Sequence, residues 1–340
     1  MRFEEERRYI GNLSQLFDMR EMILTGGKSE GVKVISISNG SGMEMLFTAD
    51  RCLDLYSLKF EGKNLGYQTP AGIVNPSYYD CHKDMWLKSY GAGFMATCGL
   101  SNIGSPCEDS GETLGLHGEL ANTPAEQLCA KFDESDCSPC AEISGIMRKA
   151  SLFGGNLSLR RTIRVRYAVN EIQICDIIRN DGFGAQPYMT LYHFNMGYPL
   201  LSPAAVLYLP TEKVIPRTEH ASAYAQEYMK ITPPVSPYEE MCYYHILKKD
   251  ENGMAHFGME NPESHLAVSV SYNTDRLDHF VEWKMFGECD YALGLEPCNA
   301  TIDGRADARK NGTLKFLKPG ESAEHRLIIR VGKNLKEIQS

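Results

Sequence analysis

The sequence lacks any apolar run that approaches the ~20 residues of a membrane-spanning helix. Six of the first eight residues are charged, which is not the pattern of a signal peptide. Long runs of like charge are also missing, because the 23% charged residues and the net charge of -9 are spread along the chain. This spread argues against nucleic acid or an acidic membrane as partner. We therefore expect a cytoplasmic protein whose partner is a small, neutral molecule.

Paired cysteine motifs are scarce. The eleven cysteines are odd in number and scattered, which is typical of reduced core thiols rather than of a disulfide framework. Cys137 and Cys140 form a lone Cys-Ser-Pro-Cys pair with no second pair or histidine nearby, which makes a poor zinc site. The sequence therefore predicts neither a metal nor a cofactor.

A clear helical period is missing as well. β-rich segments alternate instead with turns of Gly, Pro and Asn, and the clearest of them are 31–38, 43–49, 143–152, 156–167 and 171–178. The 340 residues, 43% of them hydrophobic, suffice for a large core. Spaced strands without alternating helices predict an all-β fold, a single large antiparallel β-sandwich, rather than a parallel α/β sheet.

Several smaller features concern the strands and their connections. We interpret the arginines at 160, 161, 164 and 166 as the wet face of a sheet rather than as an anion site. The turn residues at 250–253 and at 319–320 predict two hairpins. The segment 203–237 is interpreted as a proline-rich connection.

His193 is the first candidate for chemistry. The segment 187–192 has the composition of a strand, and Asn195, Gly197 and Pro199 follow it, so His193 is predicted where the strand opens into a loop. A histidine can change its charge near neutral pH and is a candidate proton donor there. The alternative is a half-buried histidine that bonds to the backbone.

Two other segments also place a candidate catalytic side chain next to glycine or proline. Gly115-Leu116-His117-Gly118 places small residues around a histidine, which suits a close approach to a ligand and equally an ordinary turn. The strand that starts at Tyr291 is predicted to end at Glu296, immediately before a proline. A surface carboxylate at a strand end is the alternative for Glu296. Seven further histidines lack small flanking residues and are assigned no role: His82, His220, His245, His256, His265, His279 and His325.

Four segments in this order resemble the aldose 1-epimerase (galactose mutarotase) superfamily, in particular a less characterised branch of it. They are Thr-Cys-Gly-Leu-Ser-Asn at 97–102, Leu-His-Gly at 116–118 with Asn-Thr-Pro-Ala-Glu at 122–126, His-Phe-Asn-Met-Gly-Tyr-Pro at 193–199, and Gly-Leu-Glu-Pro-Cys-Asn at 294–299. The likeness extends from about residue 51 to residue 299. It implies one galactose mutarotase-like β-supersandwich domain over residues 1–340, with 1–30 as an N-terminal extension that packs on it.

The resemblance also implies roles for individual residues. Glu296 matches the general base, His193 matches the general acid, and His117 matches the histidine that holds the sugar and steadies charge at its ring oxygen. Asn102 and Asn195, which lie in matching segments, join the substrate-binding set. The implied reaction is cofactor-free: a base takes the proton of the C1 hydroxyl while an acid protonates the ring oxygen.

The sequence departs from the better-known mutarotases in one place. Those proteins carry an Asn-Arg pair before their first histidine, whereas Asn102 is followed here by Ile103, so Arg51 on another strand is the candidate for the arginine. Arg51 could point to solvent or into a cleft. Trp283 is a candidate sugar-stacking ring and Lys284 a candidate hydroxyl ligand, and the alternative for the two is a core tryptophan beside a snorkelling lysine.

The sequence thus predicts an aldose 1-epimerase-like isomerase that interconverts the anomers of a sugar or sugar derivative. A sugar-binding or sensing protein without turnover is the first alternative. An isomerase that uses the same His/Glu pair on a modified sugar is the second. The expected partner is a small carbohydrate, with neither nucleic acid nor membrane, and a homodimer is one option for the quaternary state.

Overall fold

Antiparallel strands are the main regular element of the computed structural model, which describes residues 2–133 and 138–338. The all-β prediction is therefore confirmed. Cys137 of the Cys137/Cys140 pair lies outside the described residues. None of the described helices is long and apolar enough to cross a membrane.

A six-stranded sheet carries the residues of the candidate site. Its strands, in spatial order, are Thr211–Pro216, Met241–Leu247, His279–Phe286, Tyr291–Cys298, Met189–Met196 and Met95–Leu100. All neighbouring strands in it are antiparallel. We call Met189–Met196 the His193 strand and Tyr291–Cys298 the Glu296 strand.

An eight-stranded sheet packs against one face of the six-stranded sheet. Its strands, in spatial order, are Glu126–Asp133, Cys140–Ala150, Asn156–Arg166, Glu171–Asn180, Ser322–Gly332, Leu266–Asn273, Met254–Asn261 and Val206–Tyr208. Apolar side chains of the two sheets meet between them, as the rings of Phe194 and Phe257 do at 5.6 Å. We call this side of the six-stranded sheet its core face and the opposite side its cavity face.

A five-stranded sheet adds to the same hydrophobic core. It contains Asp18–Ile23, Lys33–Ser38, Met43–Thr48, Asp54–Phe60 and Lys63–Asn64 in chain order. Three two-stranded ladders pair Tyr67–Gln68 with Ala92–Gly93, Cys107–Asp109 with Glu112–Leu114, and Gln186–Pro187 with Phe316–Leu317.

The described helices are short. The α-helices are Arg2–Glu6, Glu219–Ala223, Arg305–Lys310 and Leu335–Ile338. The 3₁₀ turns are Arg7–Tyr9, Leu13–Gln15, Gly27–Ser29, Pro76–Tyr78, Met85–Lys88, Leu120–Asn122 and Ala225–Glu227. No helix of this length can bury a large apolar face, so the sheets supply the core.

Arg161 does not lie on a wet face, and that part of the prediction is wrong. Its guanidinium is fully buried and donates to Asp54 Oδ1 at 2.7 Å, to Asp176 Oδ1 at 2.9 Å and to Asp176 Oδ2 at 2.7 Å. Asp176 also accepts from the hydroxyl of Tyr192 at 2.7 Å. By alternation this position belongs to the apolar face of its strand, and carboxylates of two other strands pair with the guanidinium there. Arg160, on the opposite face, is exposed as predicted.

A second buried polar cluster lies on the core face of the six-stranded sheet. His245 Nε2 lies 3.0 Å from Glu282 Oε2, and His245 Nδ1 lies 3.0 Å from Thr211 Oγ1. The side chains of His245 and Glu282 are completely buried. We call these two residues the core pair.

The two predicted hairpins are wrong in their pairing. The turn at 250–253 is present, but the strands on either side of it, Met241–Leu247 and Met254–Asn261, belong to different sheets. Likewise Phe316–Leu317 pairs with Gln186–Pro187, whereas Ser322–Gly332 pairs with the strands of the eight-stranded sheet. Turn residues predict a reversal of the chain, but the choice of neighbour depends on which sheet can bury each strand.

His193 and Glu296 are not at strand ends, which corrects both placements. The His193 strand continues to Met196 because Asn195 is buried and bonded within the fold. The Glu296 strand continues through Pro297 to Cys298. In its ladder with the His193 strand, Leu191 pairs with Cys298 and Phe194 pairs with Leu295. The two residue pairs between these are not hydrogen-bonded, because Pro297 has no N–H to donate.

Candidate active site

A cavity of about 640 Å³ lies on the cavity face of the six-stranded sheet. The buried His193 and Glu296 and the half-buried His117 form its floor, and we call it the central cavity. A volume of this size lies within the range of small-molecule binding sites. Its remaining wall is largely aromatic, with the rings of Trp86 and Tyr90 stacked at 4.0 Å.

His193 and Glu296 meet because their strands are neighbours. The antiparallel register that pairs Leu191 with Cys298 and Phe194 with Leu295 sets His193 opposite Glu296, with both side chains on the cavity face. The distance from His193 Nε2 to Glu296 Oε1 is 3.3 Å. We call these two residues the cavity pair. The structure thus brings together the two residues that the sequence analysis selected as acid and base.

A glycine makes room for this pair. A side chain at Gly294 would collide with Glu296 Oε1 and come within 3.2 Å of His193 Cε1 and 3.1 Å of Trp283 Cβ. Only a residue without a Cβ therefore leaves the carboxylate and the imidazole in their places. Gly294 and Glu296 are two positions apart and share one face of the strand, which explains sterically why a glycine precedes the glutamate at this spacing.

Burial governs the electrostatics of the cavity pair. It raises the pKa of Glu296, an effect to which Glu240 adds and which Arg217 opposes. Burial also lowers the pKa of His193, and the neighbouring His117 lowers it further. Both shifts favour the uncharged forms of the two side chains.

The cavity pair is also short of hydrogen bonds. Within the described residues, His193 Nδ1 and Glu296 Oε1 are buried and have no hydrogen-bond partner, since the contact between the pair is not aligned as a hydrogen bond. A buried polar atom left unsatisfied costs about 1–3 kcal/mol. A ligand that supplies hydroxyl groups to these atoms would recover part of that cost.

His117 is held in one tautomer. Its backbone has a φ of 56°, and the N–H of Gly104 donates to its Nδ1 at 3.3 Å. A neutral ring that accepts at Nδ1 carries its proton on Nε2. Burial, with Arg217 nearby, lowers the pKa of His117 to about 4, so near neutral pH the ring is an uncharged N–H donor.

Asn102 supports this histidine from behind. Its Nδ2 donates to the carbonyls of Gly115 at 2.8 Å and Ser105 at 3.2 Å, and its Oδ1 accepts from the N–H of Arg305 at 2.8 Å. Its polar atoms are therefore used within the fold, and Asn102 does not line the central cavity. The structure assigns it to holding the loop that carries His117.

Asn195 has a comparable place beneath His193. Its Oδ1 accepts from the hydroxyl of Tyr90 at 3.1 Å, and its Nδ2 donates to the carbonyls of Gly93 and His193, each at 3.0 Å. It is fully buried and does not line the central cavity. It fixes the backbone of the His193 strand and the ring of Tyr90.

Arg51 is placed away from the central cavity, which corrects its assignment as a sugar ligand. Its guanidinium is buried and donates to the backbone carbonyls of Val74 and Ser89, each at 2.8 Å. Burial lowers its pKa, and Asp54 opposes that effect. Arg51 thus ties two loops together.

Trp283 and Lys284 fall on opposite faces of one strand. Trp283 lines the central cavity, and its Nε1 donates to Glu240 Oε2 at 2.7 Å. Lys284 points the other way, and its Nζ donates to the carbonyls of Glu227, Tyr228 and Lys230 at 2.8–3.0 Å. The prediction of Lys284 as a hydroxyl ligand is therefore corrected to an anchor for the loop after Pro216.

Arg217 is a cavity residue that the sequence analysis missed. It lines the central cavity, and its guanidinium donates to Asp303 Oδ1 at 2.9 Å and to Ser105 Oγ at 3.0 Å. It follows the strand Thr211–Pro216, inside the segment interpreted as a proline-rich connection. The β-branched residues of that strand were the available signal.

The mouth of the cavity combines rings and carboxylates. Tyr67 donates its hydroxyl to Asp290 Oδ1 at 3.0 Å, and Glu240 accepts from the indole of Trp283. Among the described residues, the side chains whose potential metal-ligating atoms converge are Asp80, Cys81 and His82, which are exposed and do not line the central cavity. The floor of the central cavity offers two imidazoles and one carboxylate, each of which can hold or release a proton.

The model of one protein family matches residues 29–331, and its description is "Domain of unknown function (DUF4432)". No curated protein matches the chain. The comparison with solved structures is more informative about the fold.

Three solved structures share the architecture. A protein of Klebsiella pneumoniae described as a putative aldose 1-epimerase is 23% identical, with a TM-score of 0.89 over 96% of this chain and 88% of that one. A galactose mutarotase-like protein of Clostridium acetobutylicum is 14% identical, with a TM-score of 0.66 over 94% and 100% of the chains. Galactose 1-epimerase of Lactobacillus acidophilus is 12% identical, with a TM-score of 0.62 over 94% and 99%. The TM-scores establish a common fold despite the low sequence identities.

Proposed function

The chain belongs to the DUF4432 family and has the fold of galactose mutarotase-like proteins, and from this premise we propose that it is an aldose 1-epimerase-like enzyme. It interconverts the α and β anomers of a sugar by acid/base catalysis. The contact of His193 with Glu296 on the floor of the central cavity is the observation that carries the proposal.

Ring opening needs one base and one acid. Glu296 takes the proton of the C1 hydroxyl while His193 gives a proton to the ring oxygen, the C1–O bond of the ring breaks, and an aldehyde forms. Rotation about the C1–C2 bond turns the other face of the aldehyde toward the ring hydroxyl. The same two groups then run the transfers in reverse, and the sugar leaves as the other anomer. Atoms and protons balance without a redox partner.

The pKa shifts disfavour the ion pair from which the forward transfer starts, and they make that form more reactive. A raised pKa makes the Glu296 carboxylate a stronger base, and a lowered pKa makes the His193 imidazolium a stronger acid. The forward transfer turns an ion pair into two neutral side chains, which is the state that burial favours. The net charge of the cavity does not change during the reaction.

The other cavity residues bind and orient the sugar. His117 offers an uncharged Nε2–H to a sugar oxygen, where it steadies developing negative charge. The ring of Trp283, which lies 5.5 Å from the His193 ring, offers an apolar face to the C–H groups of the sugar. Arg217 adds a guanidinium held by Asp303.

The test is anomer exchange, followed by saturation-transfer NMR and polarimetry on a panel of free pentoses and hexoses. Glu296→Gln and His193→Ala each lower the exchange rate by roughly 10²- to 10⁴-fold. Glu282→Gln is the matched control, because it alters the core pair and leaves the cavity unchanged. Exchange at the wild-type rate in both cavity variants would refute the proposal.

Two other outcomes have a clear meaning. Sugar binding with exchange no faster than in buffer would make the protein a binder without turnover. A product other than the second anomer would make it an isomerase of a modified sugar that uses the same pair.

A further inference from the structure

A second recess lies next to the central cavity and is lined by tyrosines. It has a volume of about 560 Å³, and four of its lining rings belong to Tyr56, Tyr67, Tyr198 and Tyr291. We call it the tyrosine groove. Its polar lining includes Lys59, Asn64 and Gln68.

One side chain lines both the groove and the central cavity. Tyr67 lines both, and its hydroxyl donates to Asp290, which lines the cavity. The same hydroxyl lies 3.4 Å from the carbonyl of Cys289, which lines the groove. A ligand that leaves the mouth of the cavity at Tyr67 therefore enters the groove directly.

The groove lies toward one end of the two strands that carry the cavity pair. Tyr198 follows His193 by five residues, and Tyr291 precedes Glu296 by five residues. Because the two strands are antiparallel, both tyrosines lie toward the same end of the sheet. At about 3.3 Å per residue, the displacement is roughly 16 Å. A single sugar ring at the cavity pair does not span that length, whereas a chain of sugar units does.

The lining of the groove has the chemistry of a carbohydrate site. Tyrosine rings offer apolar faces to the C–H side of a sugar, and hydroxyl, amide and ammonium groups offer hydrogen bonds to its hydroxyls. The ring of Tyr198 is 72% exposed, although its loop is held by Asn64, whose Nδ2 donates to the Tyr198 carbonyl at 2.9 Å. The groove has no paired acid and base of its own, so it can bind a sugar without reacting with it.

We propose that the tyrosine groove is a second sugar subsite, which takes the non-reducing unit of a reducing oligosaccharide while the reducing end occupies the central cavity. This inference rests on the proposed function for the identity of the cavity ligand. It extends the substrate class from a single sugar to reducing oligosaccharides of two or more units.

The test compares sugars that share a reducing end. Binding of glucose, galactose and mannose is measured by calorimetry against that of their 1→4- and 1→6-linked reducing di- and trisaccharides, with the Glu296→Gln protein so that turnover does not interfere. In at least one series, the longer sugar binds more tightly than its monosaccharide. Tyr198→Ala in the same background removes that gain, a loss of roughly three- to ten-fold, and leaves monosaccharide binding unchanged.

Two matched variants sharpen the result. Tyr198→Phe keeps the ring and retains most of the gain. Tyr78→Ala removes a tyrosine that is 58% exposed and lines neither recess, and it has no effect. Equal binding of long and short sugars, no sugar binding at all, or a gain that survives Tyr198→Ala would overturn the subsite. Exchange is measured separately on the otherwise wild-type protein, so a missing exchange with an intact length preference refutes the enzyme and not the groove.

Discussion

The six-stranded sheet carries one histidine–glutamate pair on each of its faces. The cavity pair, His193 and Glu296, has a 3.3 Å contact at the floor of the central cavity. The core pair, His245 and Glu282, has a 3.0 Å contact between packed sheets. The same residue types thus occur in two settings that differ mainly in what surrounds them.

The difference lies in the bonds that each histidine makes. Both ring nitrogens of His245 have polar partners, Thr211 and Glu282, whereas His193 Nδ1 has none among the described residues. Burial raises the pKa of both glutamates. Glu282 Oε1 and Glu296 Oε1 both lack a hydrogen-bond partner among the described residues, so the glutamates do not distinguish the pairs. The comparison teaches that a buried pair indicates function when it faces open space and its histidine retains an unused ring nitrogen.

The largest effect on stability is expected from the titration of His325, which is buried in the eight-stranded sheet. It lies between the hydroxyls of Tyr188 and Tyr192, and burial lowers its pKa to about 4, an effect that Asp176 opposes. Between about pH 6.5 and pH 4 the unfolded chain binds this proton and the folded protein does not. Stability is therefore lost as the pH falls through that window, by up to about 3 kcal/mol. Urea unfolding at several pH values should show that the free energy of unfolding falls less steeply at acidic pH in His325→Gln than in the wild type.

The carboxylates titrate in the same window in both proteins, so the difference between the two curves isolates the histidine. Parallel curves for wild type and His325→Gln would show that His325 is protonated in the folded state as easily as in water.

The next largest effect is expected on the rate of anomer exchange, from a substitution beside the cavity pair. Gly294→Ala introduces a methyl group into the space of Glu296 Oε1 and displaces the carboxylate from His193. A misplacement of about 1 Å can lower the rate about 10²-fold, so anomer exchange should fall by that order while the protein remains folded. Gly253→Ala is the control: that glycine, with a φ of 73°, has nothing near its Cβ position and lies in a surface turn. Unchanged exchange in Gly294→Ala would mean that the close approach of the pair is not needed.

The smallest expected effect is the difference in the free energy of unfolding between variants of the two glutamates. Glu282→Leu leaves His245 Nε2 buried without a partner and should lower the free energy of unfolding by about 1–3 kcal/mol. Glu296→Leu removes a buried carboxyl whose Oε1 makes no hydrogen bond, and stability should stay the same or rise. Denaturant midpoints of the two variants measure the contrast. Equal losses of stability would show that the cavity pair is as structural as the core pair.

Local pattern was sufficient for much of the fold. Alternation of apolar residues identified the strands that the structure places at Cys140–Ala150, Asn156–Arg166 and Glu171–Asn180, because a half-buried antiparallel strand imprints a period of two on its sequence. The same pattern places Arg161 on the apolar face of its strand, but it does not show which carboxylates accept its hydrogen bonds there. The burial of Arg161 depends on Asp54, which is more than a hundred residues away in the sequence.

Cavity residues were predictable where a matched segment of the sequence marks them, on a strand for His193 and in a loop for His117, and not where no such segment exists. His117, His193, Trp283 and Glu296 line one cavity. Arg217 was missed because its position depends on contacts with Asp303 and Ser105, which no local pattern encodes. Lys284 could have been separated from Trp283, since consecutive residues of a strand face opposite ways.

The His193 strand imposes a strict requirement on chain length. Tyr192 bonds to Asp176 in the core, and its neighbour His193 faces the cavity. A single-residue insertion or deletion upstream in this strand would exchange the two environments and drive a phenol into the central cavity and an imidazole into the packed core. Variants of the cavity lining can therefore change side chains one at a time, whereas insertions and deletions belong in the surface turns.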